Sequence, residues 1–351
     1  MRTRKLPAKT QKRRSSSALK TNPSLVSGYD AVFSDLDGVV YAGPHAIPGA
    51  VEALGRLAGE SVQLAYVTNN ASRSPETVAA HLRDLGAPAT AENVFGSAQA
   101  GAELLASKVA PGAKVLVTGS ATLAAAVEAQ GLVRVASADD APDAVIQGFD
   151  PSLGWADLAE AAFAVGRGAV WVATNTDLSI PQARGIAPGN GTLVAAVGAA
   201  TGRVPFVAGK PEAPLFTTAA RHLDVRRPLV VGDRLDTDIL GGTNAGFDTA
   251  LVLTGVDTPA TALAARTPER PVYLIENLQA LFEPYPLPAL EAGRYRCGAA
   301  VAWVEDETLV IAGDSSDLDS WRAACAAWWA ARPDVTSALA PEIRWTVTAR
   351  G

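Results

Sequence analysis

The 351-residue chain is poor in the residues from which several kinds of site are built. Its two cysteines, Cys297 and Cys325, stand in no metal-ligand spacing. That argues against a zinc ribbon or a disulfide scaffold and suits a reducing, cytoplasmic compartment. Three histidines, His45, His81 and His222, are scattered, which leaves little basis for a zinc site or a histidine nucleophile. No apolar run reaches the ~18 residues of a membrane span; the richest stretch, 161–173, is broken by Arg167 and two glycines. Residues 1–20 contain no acid but eight basic side chains, so the formal net charge of −6 leaves −14 for the remainder. This arm, without the apolar core of a secretory signal, is expected to be a disordered extension over residues 1–27. Nucleic acid is therefore not an expected partner.

What is present is globular: 48% hydrophobic and 19% charged residues. Apolar runs expected as strands occur at 31–34, 62–68, 114–118, 143–147, 169–173, 206–208, 228–231 and 249–253. Helical stretches at 75–85, 121–130, 155–165, 213–222 and 236–244 alternate with them. Alternation of this kind predicts βαβ units and a doubly wound, Rossmann-like parallel α/β sheet. Four polar motifs sit at or just after strand ends, where such sheets place their ligands: Asp35-Leu-Asp37-Gly38, Thr68-Asn69-Asn70, Gly209-Lys210-Pro211 and Gly232-Asp233 with Asp238.

Their chemistry is that of phosphoryl transfer from a monoester. A carboxylate can attack the anionic phosphoryl group only when cations and aligned donors neutralise its oxygens. Asp35 is the expected nucleophile, forming an aspartyl-phosphate. Asp37, two residues on, is the expected proton donor to the leaving alkoxide and later the base for water. Thr68 offers a hydroxyl and Asn69 a backbone N–H to the phosphoryl oxygens. Lys210 supplies a fixed positive charge for them and keeps Asp35 ionised. Asp35 and Asp233 form a hard oxygen site suited to Mg²⁺. Each motif taken singly is an ordinary strand-ending turn or helix cap; only the four together, in this order, demand a site.

The set resembles the four motifs of the haloacid dehalogenase (HAD) superfamily in its phosphatase form. The segment 173–191, with Ala173-Thr-Asn-Thr-Asp177, Pro181 and Gly185-Ile-Ala-Pro-Gly-Asn-Gly191, resembles the C2-type cap of the NagD-like subfamily IIA. The resemblance covers roughly residues 29 to 282. It implies that the Asp37 carbonyl joins Asp35 and Asp233 as a metal ligand, with Asp238 behind them holding a metal-bound water. It also implies a cap loop (Asn175, Asp177, Ile180) that reads the leaving group, and possible pairing of two copies through the caps. Ile180 stands where pyridoxal phosphate phosphatases carry a histidine, so that substrate is disfavoured. With its Trp-rich appendage the chain is most similar to actinobacterial glycerol-3-phosphate phosphatases, whose tail is similar to part of an acetyltransferase fold. Residues 289–351 contain no pyrophosphate loop for coenzyme A and are expected to be structural or a docking surface.

The expected organisation is a catalytic core over residues 28–100 and 206–284, a cap over 101–205 and a small α+β appendage over 289–351, after a linker at 283–288. The expected function is a Mg²⁺-dependent phosphomonoesterase acting on glycerol 3-phosphate or a similar small phosphorylated metabolite. The alternatives are a nucleotide or pyridoxal phosphate phosphatase, and a non-catalytic binder of a phosphometabolite. The intact Asp35/Asp37 pair argues against the binder.

Overall fold

The computed structural model describes residues 23–182 and 184–346. Residues 1–22, most of the expected N-terminal arm, lie outside them, as does Val347. The end of that arm departs from the expectation: Leu25–Gly28 is a 3₁₀ turn with Val26 fully buried, and the Leu25 N–H donates to the Glu283 carbonyl (2.9 Å).

Six parallel strands form the core sheet, in the order Tyr273–Ile275, Asp248–Val252, Pro228–Gly232, Ala31–Ser34, Gln63–Thr68, Val94–Gly96. The two central strands are buried along their whole length, which explains why they read as unbroken apolar runs rather than as alternating ones. From Ala31–Ser34 the chain builds outward in one direction; from Pro228–Gly232 it builds in the other. The topological switch point therefore lies between these two strands, the place where an open α/β sheet leaves a crevice at its carboxyl edge.

A second parallel sheet, in the order Phe206–Val207, Val170–Ala173, Ala144–Gln147, Lys114–Thr118, Val133–Val135, forms the inserted domain. Phe206–Val207 pairs with Val172 and Ala173 here and contributes nothing to the core sheet, so the expected return to the core at residue 206 falls too early. The reason is hydrogen bonding: the Ala208 and Gly209 N–H groups still donate to the carbonyls of Ala173 and Thr174 (3.0 and 2.7 Å). An antiparallel hairpin, Ser179–Gln182 with Gly185–Pro188, projects from this domain.

Residues 289–346 add a five-stranded sheet covered by helix Leu318–Ala331. Two of its strands are short and the sequence pattern does not reveal them: Ala289–Glu291 is exposed throughout, and Arg294–Cys297 exposes its two arginines while burying Cys297. The helix buries Trp328, while Trp321 and Trp329 pack at the margin of the same cluster. That cluster is continuous with the catalytic core, since Trp328, Cys325 and Ile311 share it with Leu235, Ile239, Leu251 and Leu274. The expected linker at 283–288 is strapped down rather than free. Tyr285 accepts a hydrogen bond from the Leu274 N–H (3.1 Å), stacks edge-on against Tyr273 and lies under the Arg322 guanidinium.

Because the cluster is shared, the appendage and the catalytic core are expected to unfold in one transition. Trp328→Ala, which empties the middle of that cluster, should cost about 3–5 kcal/mol in denaturant unfolding. Two separate transitions, with only the second tracking the catalytic core, would count against the shared core.

Candidate active site

Asp35 continues the Ala31–Ser34 strand by one residue, its N–H donating to the Val231 carbonyl across the switch point (2.9 Å). Its carboxylate is thus fixed by a sheet hydrogen bond. Leu36 turns inward and is buried, and its carbonyl accepts from the N–H groups of Val40 and Tyr41 (2.9 and 3.2 Å), closing the turn. Asp37 emerges on the solvent side. Gly38, at φ +78°, lies so close to Asp233 that a Cβ there would overlap the carboxylate, and Gly255 approaches the same group from the other side. Both positions demand glycine for space, and Gly38 also for its backbone angle.

The Lys210 ammonium, 5% exposed, lies between Asp35 Oδ1 (2.5 Å) and Asp238 Oδ1 (2.6 Å). Burial alone would lower its pKa; the two carboxylates, Asp238 foremost, overcome that and hold it above the ordinary lysine value. Burial pushes the Asp35 pKa upward, with Lys210 pulling against it. Asp238 is wholly enclosed, its second oxygen accepting the Arg234 N–H (3.2 Å), and burial raises its pKa to about 6. Asp233 is likewise raised to about 6, by burial and then by the Asp238 charge.

Asp35, Asp233 and Asp238 each bring a carboxylate oxygen within 4.8 Å of the others. Three carboxylates against one ammonium leave two negative charges in a pocket largely closed to water. Asp233 Oδ2 accepts the Val256 N–H (2.8 Å), but its Oδ1 is buried without a partner. An orphaned, buried carboxylate oxygen in an all-oxygen, doubly negative site fits Mg²⁺. Both oxygens of Asp238 are already engaged, so it is arranged to position Lys210 rather than to offer a free ligand.

Thr68 ends its strand beside this cluster, its Oγ1 accepting the Asn70 N–H (3.2 Å). The Asn69 side chain does more than the sequence suggested. Its Oδ1 accepts the Lys210 N–H (2.7 Å), while its Nδ2 faces the Lys210 carbonyl (3.0 Å) and the Asp177 carboxylate (3.1 Å). The Asn69 carbonyl in turn accepts from Asn175 Nδ2 (2.8 Å) and Ser97 Oγ (2.6 Å). Asn175 and Asp177, expected to read the substrate, both contact Asn69 of the core. Ile180 lies apart from them in the hairpin, opposite Ala187, and the exposed apolar side chains near it are Leu178 and Ile186.

Several participants are not legible in the motifs. Arg73 lies near enough to Asp37 to oppose the upward push that burial gives its pKa. Tyr41 is buried beside Asp37 and packs edge-on against His81. The segment from Thr254 to Asp257 grips both acidic turns: Thr254 Oγ1 donates to the Gly38 carbonyl (2.7 Å), and the Asp257 N–H to the Asp233 carbonyl (3.0 Å). Its signal was available as a Gly-containing turn after the strand at 249–253, another carboxyl strand end of the same sheet.

Comparison with known proteins gives the family. The family model of haloacid dehalogenase-like hydrolases matches residues 32–133, and a HAD-hydrolase-like model matches residues 207–281. The chain is 48% identical, over 74% of its length and 73% of the relative's, to a D-glycerol 3-phosphate phosphatase of Mycobacterium tuberculosis. An acid sugar phosphatase of Staphylococcus saprophyticus is 39% identical over 72% of this chain and 96% of its own. Among solved structures, a glycerol phosphate phosphatase from M. tuberculosis in complex with magnesium superposes with a TM-score of 0.83 at 42% identity, covering 92% of this chain and 95% of that one. A 4-nitrophenylphosphatase from Thermotoga maritima gives 0.67 at 31% identity, over 73% and 97%.

The raised acids have a measurable consequence. An acid whose pKa is higher folded than unfolded holds its proton better in the folded state. Its stabilising contribution is therefore present at low pH and lost as pH rises from about 4 through about 6. With chelator, Asp233 and Asp238 should destabilise the protein across that window, and a divalent cation should reverse the loss. The rise in Tm on adding Mg²⁺ is expected to be larger at pH 7 than at pH 5. An equal rise at both would place the ion elsewhere.

Proposed function

The chain belongs to the haloacid dehalogenase-like hydrolases, and on that premise we propose that it is a Mg²⁺-dependent phosphomonoesterase acting through an aspartyl-phosphate on Asp35, with glycerol 3-phosphate or a similar small phosphate as substrate. The observation that carries the reaction is the buried Lys210 ammonium between Asp35 and Asp238, beside the unpartnered oxygen of Asp233. Asp35 attacks the phosphoryl group while Lys210 neutralises charge on its oxygens. The Thr68 hydroxyl and the Asn69 N–H are the further donors. Asp35, Asp233 and the Asp37 carbonyl would hold Mg²⁺, which supplies electrostatic neutralisation of the phosphoryl oxygens. Asp37 is placed to give a proton to the leaving alkoxide and then to take one from the attacking water.

The substrate rests on the 48% identical glycerol-3-phosphate relative. The hairpin bearing Ile180 starts two residues after Asp177, whose carboxylate meets Asn69 of the core, and this supports a role for the hairpin in covering the cleft. Two further readings attach to the molecule. Trp155 and Phe163 stand exposed along cap helix Trp155–Gly166, which supports pairing of two copies through the caps. Cys297 and Cys325 are both buried and unpaired, in keeping with a cytoplasmic setting; among the described residues no helix is long and apolar enough to cross a membrane.

Phosphate release from a panel of glycerol 3-phosphate, 2-phosphoglycolate, sugar phosphates, nucleoside monophosphates and pyridoxal phosphate tests the substrate. Glycerol 3-phosphate should lead; a lead by sugar phosphates or nucleotides would overturn the substrate and keep the reaction. Asp35→Asn should abolish turnover and leave no hydroxylamine-sensitive phosphoprotein. Asp37→Ala should slow glycerol 3-phosphate about 10²–10⁴-fold. Its effect on 4-nitrophenyl phosphate should be far smaller, since that leaving group departs without a proton. Equal losses on both substrates would remove Asp37 from the acid role.

A further inference from the structure

The segment from Thr254 to Asp257 contributes no side chain that faces substrate, yet it fixes both turns that carry the candidate metal ligands. It reaches the first turn through Thr254 Oγ1 and the Gly38 carbonyl (2.7 Å). It reaches the second through the Val256 N–H and Asp233 Oδ2 (2.8 Å), and through Asp257 Oδ2, which accepts the Leu235 N–H (2.7 Å). What fixes this segment in turn is helix Pro259–Ala264, which follows it directly. Six residues cannot hold a helix by themselves in water, so the position of this one is set by whatever packs on it.

The appendage packs on it. Ala262 and Leu263 are buried in the cluster that contains Trp328, Ala324 and Ile311. Trp329 Nε1 donates to the Leu263 carbonyl (3.2 Å), and the Leu339 N–H to the Ala264 carbonyl (2.8 Å), satisfying the two last carbonyls of that helix from outside. Immediately beyond, Thr267 is joined to the appendage on three sides. Its N–H donates to the Val335 carbonyl (2.9 Å), its hydroxyl donates to the Pro333 carbonyl (2.8 Å), and that hydroxyl oxygen accepts the Val335 N–H (2.8 Å). Arg270 donates to the Arg332 carbonyl (2.7 Å). Leu235 and Ile239, which flank Asp236 and Asp238 in the π-helical turn Leu235–Ile239, belong to the same cluster.

We infer that residues 289–346 are a positioning brace for the metal site: through Trp329, Leu339 and Thr267 they hold helix Pro259–Ala264, and through it the Thr254–Asp257 segment that orients Asp233 and Gly38. The inference rests on the reading that Asp35 and Asp233 hold a divalent cation. A group that orients ligands from outside alters affinity for the ion more than the chemistry that follows once the ion is bound.

The test uses the full chain and Mn²⁺ as the probe, with free Mn²⁺ measured by electron paramagnetic resonance in the absence of substrate. Thr267→Val, which is isosteric, combined with Trp329→Phe, which keeps an aromatic ring, removes the side-chain hydrogen bonds to Pro333, Val335 and Leu263. It should weaken Mn²⁺ binding about tenfold, the low end of what losing partners behind a metal site costs. The Mg²⁺ concentration for half-maximal phosphatase rate should rise in parallel, with kcat at saturating Mg²⁺ and KM for the phosphoester unchanged. Thr267→Ser, which keeps the hydroxyl, should bind Mn²⁺ as the parent does. Should the double variant fail to fold, Thr267→Val alone carries the same comparison. A variant with lowered Tm but parental Mn²⁺ affinity would overturn the brace and leave the appendage a source of global stability only. A parent chain that binds no Mn²⁺ would instead overturn the metal site on which the inference stands.

Discussion

A lysine ammonium held out of water between two carboxylates is the constraint around which this molecule is arranged. Taking such charges out of water costs several kcal/mol per ion, and removing one partner leaves another stranded. The arrangement persists because every member is anchored by something else. Asp35 is fixed by a sheet hydrogen bond to Val231, Asp238 by the Arg234 N–H, and the Lys210 backbone by both ends of the Asn69 amide. The group left without a partner is Asp233 Oδ1, and the site's excess negative charge collects around it. Polar satisfaction elsewhere thus singles out the position for a cation.

Asn69 joins three parts of the chain at one point: the core strand that precedes it, the Lys210 loop and the cap residues Asn175 and Asp177. Space there is limited. A Cβ on Gly209 would meet the Thr174 carbonyl and Asn69 Oδ1 at 2.5 and 2.6 Å. The crossing from cap to core is therefore narrow, and hydrogen bonds hold both of its strands, at Asn175–Asp177 and at Ala208–Gly209. Attachment of the cap and placement of Lys210 both run through Asn69.

The appendage enlarges the catalytic core instead of hanging from it. Arg322 donates to the Leu274 carbonyl and stacks on Tyr285, while Trp328 fills a cluster with Leu251 and Leu274. This matches the coverage of the structural neighbours. The magnesium complex from M. tuberculosis covers 92% of this chain and so reaches into these residues, whereas the T. maritima phosphatase covers 73%.

The sequence by itself determined the strands that are buried on both faces, because a parallel strand covered by helices must be apolar along its length, as Ala31–Ser34 and Pro228–Gly232 are. It also determined which acids, hydroxyl and lysine stand at strand ends, since the chemistry of phosphoryl transfer restricts them to a few residue types in a fixed order. It did not reveal short elements such as Val94–Gly96, Phe206–Val207 as a cap strand, or the first two strands of the appendage. Three or four residues carry too little periodicity, and their pairing is decided by partners far away in the chain. Only the tertiary structure decided that Asn175 and Asp177 meet Asn69, that Asp238 pairs with Lys210, and that Thr254–Asp257 holds Asp233. Each of these is a contact between segments tens to more than a hundred residues apart or across a turn, and hydrogen-bond geometry, unlike strand-end chemistry, leaves no mark on local sequence.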